Sequence, residues 1–471
     1  MVEIKKINDF MWKIEKMGAM KVPVIIFASE KLLDKIKEDR TLIQASNMAC
    51  LPGVLKNIVV CPDAHEGYGA CIGGVAAHSI EEGIISPGEI GYDIDCSIRL
   101  LKTNLKLKDA RLKIKEIINS LFLAIPSGVG SKGRIQTSEK ELDDVLKKGA
   151  KWAVENGYGK KEDYEHTEEQ GCMSKANPDF VSDKAKKRGR PQLGTLGAGN
   201  HFLEIQVVDE IFDKEIANIF GLEKDQVTIM IHCGSRGLGH QIASDYIKLM
   251  EEKYGWPEQD RELVNAPIKS ELGQRYFSAM SAAANFAFCN KQIITHFIRE
   301  AMKEIFPDFK ADVVYDVCHN IAKFEVHNVD GEEREVLVMR KGATRSFGPG
   351  RKEIPIDYRN VGQPIIIPGS MGTASYVLVG TKKAEEISFG STAHGAGRVM
   401  SRHSALRLFS GEKIKQDLAK KNIEIKAGSW ESIAEEGPEV YKDIDEVVSV
   451  SHKAGIGNLV AKMKPVGVIK G

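Results

Sequence analysis

No run of 18 consecutive apolar residues occurs in this 471-residue chain, which argues against a membrane-spanning helix. No secretory signal is expected either. The opening MVEIKKINDFMWKIEKMG interleaves charge with apolar residues, has no uninterrupted apolar stretch, and reads as an amphipathic helix. Cysteine is scarce: the eight present (Cys50, Cys61, Cys71, Cys96, Cys172, Cys233, Cys289, Cys318) make no CxxC pair. That excludes a disulfide scaffold and fits mostly buried thiols in a reducing, cytoplasmic setting. Net charge is nil, with 66 basic against 66 acidic residues, so contact with a polyanion must come from a local patch. The GxxxxGK[ST] phosphate loop is absent, and no 20–50-residue repeat points to a solenoid.

What is present is a soluble globular composition, 42% hydrophobic and 28% charged, in a chain long enough to bury a large core. VPVIIFAS (22–29) reads as a buried strand followed by a helix over 31–40. From 51 to 101, short apolar segments alternate with glycine turns, the pattern of strands joined by loops that carry polar residues. Helical periodicity marks 106–121, 139–155 and the long stretch 270–305, while HFLEIQVVD, VTIMIHCGS, ADVVYDVCHN and PIIIPGS read as strands. No composition break marks a linker. The expectation is one large mixed α/β (α+β) unit over 1–471, with surface insertions near 160–192 and 412–440.

Six small clusters share a form, a strand end or glycine turn followed by a metal-competent or acid–base residue. They are Asp63-Ala64-His65, Asp93-Ile94-Asp95-Cys96, Gly199-Asn200-His201-x-x-Glu204, His232-Cys233-Gly234-Ser235-Arg236, Cys318-His319-Asn320 and the run from Ser391 to Arg398 around His394. Together they hold five of the twelve histidines, which favours a shared site over scattered structural histidines. In GYDIDC a strand would pair Asp93 with Asp95, whereas a tight turn would pair Asp93 with Cys96; ten residues leave both open. Imidazole, thiolate and one carboxylate suit a borderline metal, zinc first and manganese second on ligand chemistry alone. GSRGLGHQ, SKGR, RKGATRSFGPGRK and HGAGRVMSR add glycine turns beside arginine or lysine, a combination that binds phosphate. The basic run Lys184, Lys186, Lys187, Arg188, Arg190 fits either a nucleic-acid backbone or a solvated loop.

Taken in order, GYDIDC, GAGNHFLEI, IHCGSRGLGHQ, CHN, RKGATR, PGSMGTASYVL and STAHGAGRVMSR resemble the RtcB family of RNA-splicing ligases, from about residue 50 to the C-terminal KPVGVIKG. The resemblance implies a large α/β fold with stacked β-sheets and flanking helices. It implies an enzyme that joins an RNA 3′-phosphate or 2′,3′-cyclic phosphate to a 5′-hydroxyl using GTP and two manganese ions. Carried over residue by residue, it makes Cys96 a bridge between one ion held by Asp93 and His201 and another held by His232 and His319. His394 becomes the nucleophile that takes GMP, with Gly395 and Gly397 beside it. Asn200 and Asn320 would contact the GTP phosphates, and Glu204, Ser375 and Lys470 the guanine, with Tyr441 against the nucleotide and Ser370 near it. Arg236, Lys341, Arg398 and Arg402 would meet phosphate or RNA. The implied partners are tRNA exon halves or broken RNA ends and an archease-type activating protein.

Met339 and Ser97 depart from the family pattern without touching an assigned ligand. A lysine-adenylating ligase is disfavoured, since Asn328 stands where the KxDG lysine would precede Asp330-Gly331. Two rivals use the same residues differently: a two-metal phosphoesterase or nuclease with His394 as general acid, and a non-catalytic RNA-binding scaffold, for which a ligand cluster would be superfluous.

Overall fold

The computed structural model describes residues 3–471. The alternating apolar segments fold into two large sheets. One has the strand order Lys5–Asn8, Met11–Ile14, Val24–Phe27, Ile58–His65, Ile72–Ser79, Glu332–Lys341, Asn320–Val329, antiparallel except where Val24–Phe27 runs parallel to Ile58–His65. The other runs Ala311–Cys318, Ser97–Lys106, Gln226–Cys233, Phe202–Ile211, Asn458–Lys470, Ser375–Val379, Pro364–Ile367, and Glu424–Ala427 joins Asn458–Lys470 in parallel. The sheets stack with helices flanking them, giving the single mixed α/β body expected. Every residue of Gln226–Cys233 is buried, so QVTIMIHC reads as an apolar run rather than an alternation.

The stretch 270–305 forms a helix, Glu271–Ile305, started by the Ser270 side chain accepting from the Gly273 N–H. It packs against Ile114–Ala124, Glu139–Lys148, Ala150–Glu155 and Arg236–Tyr254. Its middle is buried all round, including the polar residues Asn285, Asn290, Lys291 and Gln292. Such a row is tolerated only where each polar group finds a partner.

Two expectations are corrected. The N-terminal segment is a β-hairpin, Lys5–Asn8 against Met11–Ile14, not an amphipathic helix; Met1 and Val2 of that segment lie outside the described residues. Asn8 Oδ1 accepts from Phe10 N–H at 2.9 Å to close the turn, and Trp12 Nε1 donates to Ala28 O at 2.8 Å, so pairing with Val24–Phe27 overrides the helical periodicity. The polar stretch 160–192 is only partly a surface excursion. Glu168 is buried beneath the sheets, 2.5 Å from Lys323 Nζ and 3.2 Å from Arg345 Nε, and Asp163 is clamped by Arg299. The stretch 412–440 carries a small apolar cluster of its own, with Ile414, Leu418, Ile425 and Ile433 packed on Val468. Among the described residues no helix is long and apolar enough to cross a membrane.

Candidate active site

Four adjacent strand ends of the second sheet meet at one place. Cys96 precedes Ser97–Lys106, His201 precedes Phe202–Ile211, and His232 is the penultimate residue of Gln226–Cys233. His319 is the single residue between Ala311–Cys318 in one sheet and Asn320–Val329 in the other. Register places Ser97 opposite both Cys233 and Cys318, and His232 opposite both Ile98 and Phe202, so the ligand-type side chains are neighbours by strand pairing.

GYDIDC is a turn. Cys96 N–H donates to Asp93 O at 3.0 Å, and Asp95 takes a left-handed φ of 55° while its N–H donates to Asn320 O. Asp93 and Cys96 thereby converge and Asp95 turns away. Cys96 Sγ lies 3.1 Å from His232 Nε2 and 3.5 Å from His201 Nε2, and His201 Nε2 lies 2.8 Å from Asp93 Oδ2. Two trios, Asp93/Cys96/His201 and Cys96/His232/His319, each gather their ligand atoms within 4.8 Å and share the thiol.

The residues fit divalent cations on independent grounds. Asp93 Oδ1 and His319 Nδ1 are buried without a hydrogen-bond partner. His201 Nδ1 is turned to Leu196 O at 3.0 Å, which fixes the tautomer and leaves Nε2 to ligate. Burial first, then neighbouring imidazoles, holds His232 and His319 well below the usual histidine range, so both are neutral donors. Burial opposes charge on Asp93, yet His201 beside it keeps that carboxyl below the ordinary carboxylate range. Burial, then the Asp93 charge, pushes the Cys96 thiol up to about 12 in the chain alone. A thiolate there needs a cation beside it.

A cavity of about 370 Å³ opens next to the cluster. His394, Gly395 and Gly397 line it together with Asn200, Glu204 and His232, Ser370 borders it, and Arg398, Arg402, Tyr441 and Lys470 complete the wall. The His394 ring lies 4.8 Å from that of His319. Asp63 Oδ2 sits 2.6 Å from His394 Nδ1 and accepts from the backbone N–H groups of His394 and Gly395 at 3.0 and 3.2 Å. Burial works against its charge, but His394 holds the Asp63 carboxyl below its ordinary range. Burial pushes Glu204 up to about 8 against the pull of Gln206 and Lys470. Lys470 Nζ donates to Gly199 O at 2.7 Å. The GAGN loop needs its glycines because Gly197 and Gly199 sit at φ +91° and +71°; an added Cβ would also push aside the flexible ends of Arg236 and Arg402.

Lys341, Asn320, Ser375 and Arg236 do not line the cavity, whereas Arg398, Arg402 and Tyr441 line it and are tied to one carboxylate. Lys341 is buried, its ammonium donating to Tyr68 O and to Ala70 O and Gly88 O at 3.0 Å, so it braces loops rather than facing phosphate. Asn320 clamps the turn, donating to Asp93 O at 3.1 Å and accepting from Gly342 N–H at 2.9 Å. Ser375 stands behind the cavity, reached through Gln206 Nε2 at 3.0 Å. Arg236 leans on Thr195 Oγ1 at 3.3 Å. Arg398 and Arg402 converge on Glu436, at 3.0 and 3.2 Å, and the Tyr441 hydroxyl donates to the same carboxylate. The residue motifs gave Asp63 no role and gave no sign of Glu436. Asp63 carries a weak signal in its DAH cluster; Glu436 carries none, because its partners come from other segments.

A buried carboxylate beside a histidine, two trios of ligand-type residues sharing a thiol, and a cavity of mixed polar and apolar lining next to them are the features of a metal-dependent enzyme. The family model described as "tRNA-splicing ligase RtcB" matches residues 44–471, so the chain belongs to the RtcB family of ligases. It is 54% identical to the tRNA-splicing ligase RtcB of Thermococcus kodakarensis over 100% of this chain and 99% of that protein. It is 52% identical to that of Archaeoglobus fulgidus over 99% of each chain. Against that of Methanococcus maripaludis it is 55% identical over 96% of this chain and 95% of the relative.

Proposed function

We propose that this enzyme joins RNA ends, linking a 2′,3′-cyclic phosphate or 3′-phosphate to a 5′-hydroxyl at the expense of GTP. The observation that carries the reading is the placement of His394 between Asp63 and the shared-thiol cluster, on the wall of a nucleotide-sized cavity. A 3′-phosphate is a poor electrophile because its leaving group would be oxide, so it must first be activated by a nucleotidyl group. Asp63 holds the Nδ1 side of His394 and stabilises positive charge on the ring, which leaves Nε2 as the nucleophile toward the α-phosphorus of GTP. Pyrophosphate leaves, and GMP is carried on His394. A cyclic-phosphate end is first opened by water to the 3′-phosphate; the RNA 3′-phosphate then takes GMP from His394 to give an RNA(3′)pp(5′)G end, and the 5′-hydroxyl displaces GMP. Asp93, Cys96, His201, His232 and His319 would hold two Mn²⁺ ions, which when bound neutralise phosphoryl charge and lower hydroxyl pKa values. Ligand chemistry alone ranks zinc first; family membership is what favours manganese.

In the cavity, Glu204 and Lys470 suit a guanine edge, Tyr441 a ring face, and Asn200, Gly395 and Gly397 the phosphates. Arg398 and Arg402, gathered by Glu436, are the cations left for the RNA end. The same reading extends to tRNA exon halves and broken RNAs as substrates, an archease-type activating partner and a cytoplasmic location; the family description as a tRNA-splicing ligase supports the first of these. The test supplies Mn²⁺ and GTP with one RNA ending in a 2′,3′-cyclic phosphate and another beginning with a 5′-hydroxyl. A joined product that requires GTP is expected. Cleavage or phosphate removal without nucleotide would instead make the protein a two-metal phosphoesterase.

A further inference from the structure

Outside the cavity lining, the buried middle of Glu271–Ile305 presents Asn290 and Lys291. Lys291 Nζ donates to Ser97 Oγ and lies 3.0 Å from Asp316 Oδ1 and 3.5 Å from Asp95 Oδ2. Asp95 and Ser97 flank Cys96, and Asp316 lies on the strand that ends beside His319. Asn290 Oδ1 accepts from Gly194 N–H at 2.6 Å and Thr195 N–H at 3.0 Å, while its Nδ2 donates to Thr195 O at 3.0 Å and Cys233 Sγ at 3.2 Å. Cys233 follows His232, and its thiol donates to Leu196 O at 3.1 Å, the same carbonyl that receives His201 Nδ1. Two consecutive residues of one helix thus grip segments next to Cys96, His201, His232 and His319, which stand at the ends of four different strands.

We infer that Asn290 and Lys291 are positioning residues that set the spacing of the two ligand trios around the shared thiol. A purely space-filling role would be met at lower cost by an apolar side chain, because burying an ammonium carries a large desolvation penalty. Lys291 offsets that penalty by donating to Ser97 Oγ and by lying beside the Asp316 and Asp95 carboxylates, and Ser97 and Asp95 border the thiol. Asp95 also holds a left-handed backbone that a non-glycine residue keeps only when its surroundings fix it. Groups mounted on a rigid, fully packed helix hold ligands more closely than loop contacts do. The inference rests on the reading of the cluster as a metal centre.

The experiment titrates the full-length protein with Mn²⁺, following free Mn²⁺ by electron paramagnetic resonance and the Mn²⁺-induced rise in unfolding temperature. Lys291→Met and the nearly isosteric Asn290→Asp should each bind Mn²⁺ about 10–100-fold more weakly than the wild type and gain less temperature from it. Asn285→Leu is the control, since Asn285 bonds only the Leu146, Lys147 and Met173 backbone; it should lower the unfolding temperature and leave Mn²⁺ affinity unchanged. Wild-type affinity in both test variants would overturn the inference. If Lys291→Met yields no folded protein, Asn290→Asp alone decides. A wild type that binds no Mn²⁺ would instead sink the metal reading itself.

Discussion

Asp63 Oδ2 lies 2.6 Å from His394 Nδ1, although 331 positions separate the two residues in the chain. The contact sets one ring nitrogen, Nδ1, against a buried carboxylate; on the proposed mechanism the other nitrogen carries the chemistry. Asp63→Asn keeps the shape and removes the charge, so it should fold and bind nucleotide yet transfer GMP roughly 10²–10⁴-fold more slowly. Single-turnover labelling measures this, and an unchanged rate would show that Asp63 only fills space.

The GYDIDC turn separates two aspartates that look equivalent in sequence. Asp93 belongs to a ligand trio, whereas Asp95 faces Lys291, and burial pushes its carboxyl up to about 7 against that lysine's pull. Asp93→Asn should therefore lower Mn²⁺ binding far more than Asp95→Asn does. Isothermal titration of the two variants checks the ranking; equal losses would contradict the turn geometry as the source of the difference.

On the proposed reading, Glu204 makes nucleotide binding depend on pH. Its carboxyl is raised from 4.5 to about 8, so the folded chain binds this proton more tightly than the unfolded chain does. Its contribution to stability is complete below about pH 4.5 and is lost as pH climbs to about 8. If guanine donates to this carboxylate, binding must expel the proton. GTP affinity should then rise from pH 6.5 to about 8 and level off above, and titrations in buffers of different ionisation enthalpy should reveal proton release at pH 7. Glu204→Gln should bind GTP more weakly and with no such slope. A flat profile in the wild type would remove Glu204 from the guanine site.

Much of the site is legible in the residues because the ligand-type side chains stand at the ends of apolar strands, His201 and His319 next to an asparagine and His232 two residues before Gly234. Which pair converges in GYDIDC is not legible locally, because the carbonyl that receives Asp95 N–H belongs to Asn320, far downstream. Lys341 reads as a phosphate contact because RKGATR shows a cation beside glycine. The carbonyls that absorb its charge come from the 68–88 region. The N-terminal hairpin misleads for a related reason: its helical periodicity is genuine but weaker than pairing to a neighbouring strand. Glu436, which gathers two arginines, a tyrosine and Lys470, has no local signature at all.

Gly197→Ala tests the GAGN loop. An added Cβ meets the Arg236 guanidinium at 2.1 Å on a backbone at φ 91°. The loop should lose about 1–3 kcal/mol and shift His201 with it, measured as a lower unfolding midpoint and weaker Mn²⁺ binding. Retained stability and retained metal affinity together would show that the loop accommodates the change.

The central claim is that His394 carries the nucleotide. Incubation of the wild type and His394→Ala with α-labelled GTP and Mn²⁺, followed by denaturing electrophoresis, tests it most directly. An acid-labile label on the wild-type chain that vanishes in His394→Ala is the predicted result. Equal label on both chains, or none on the wild type while joined RNA accumulates, would contradict it.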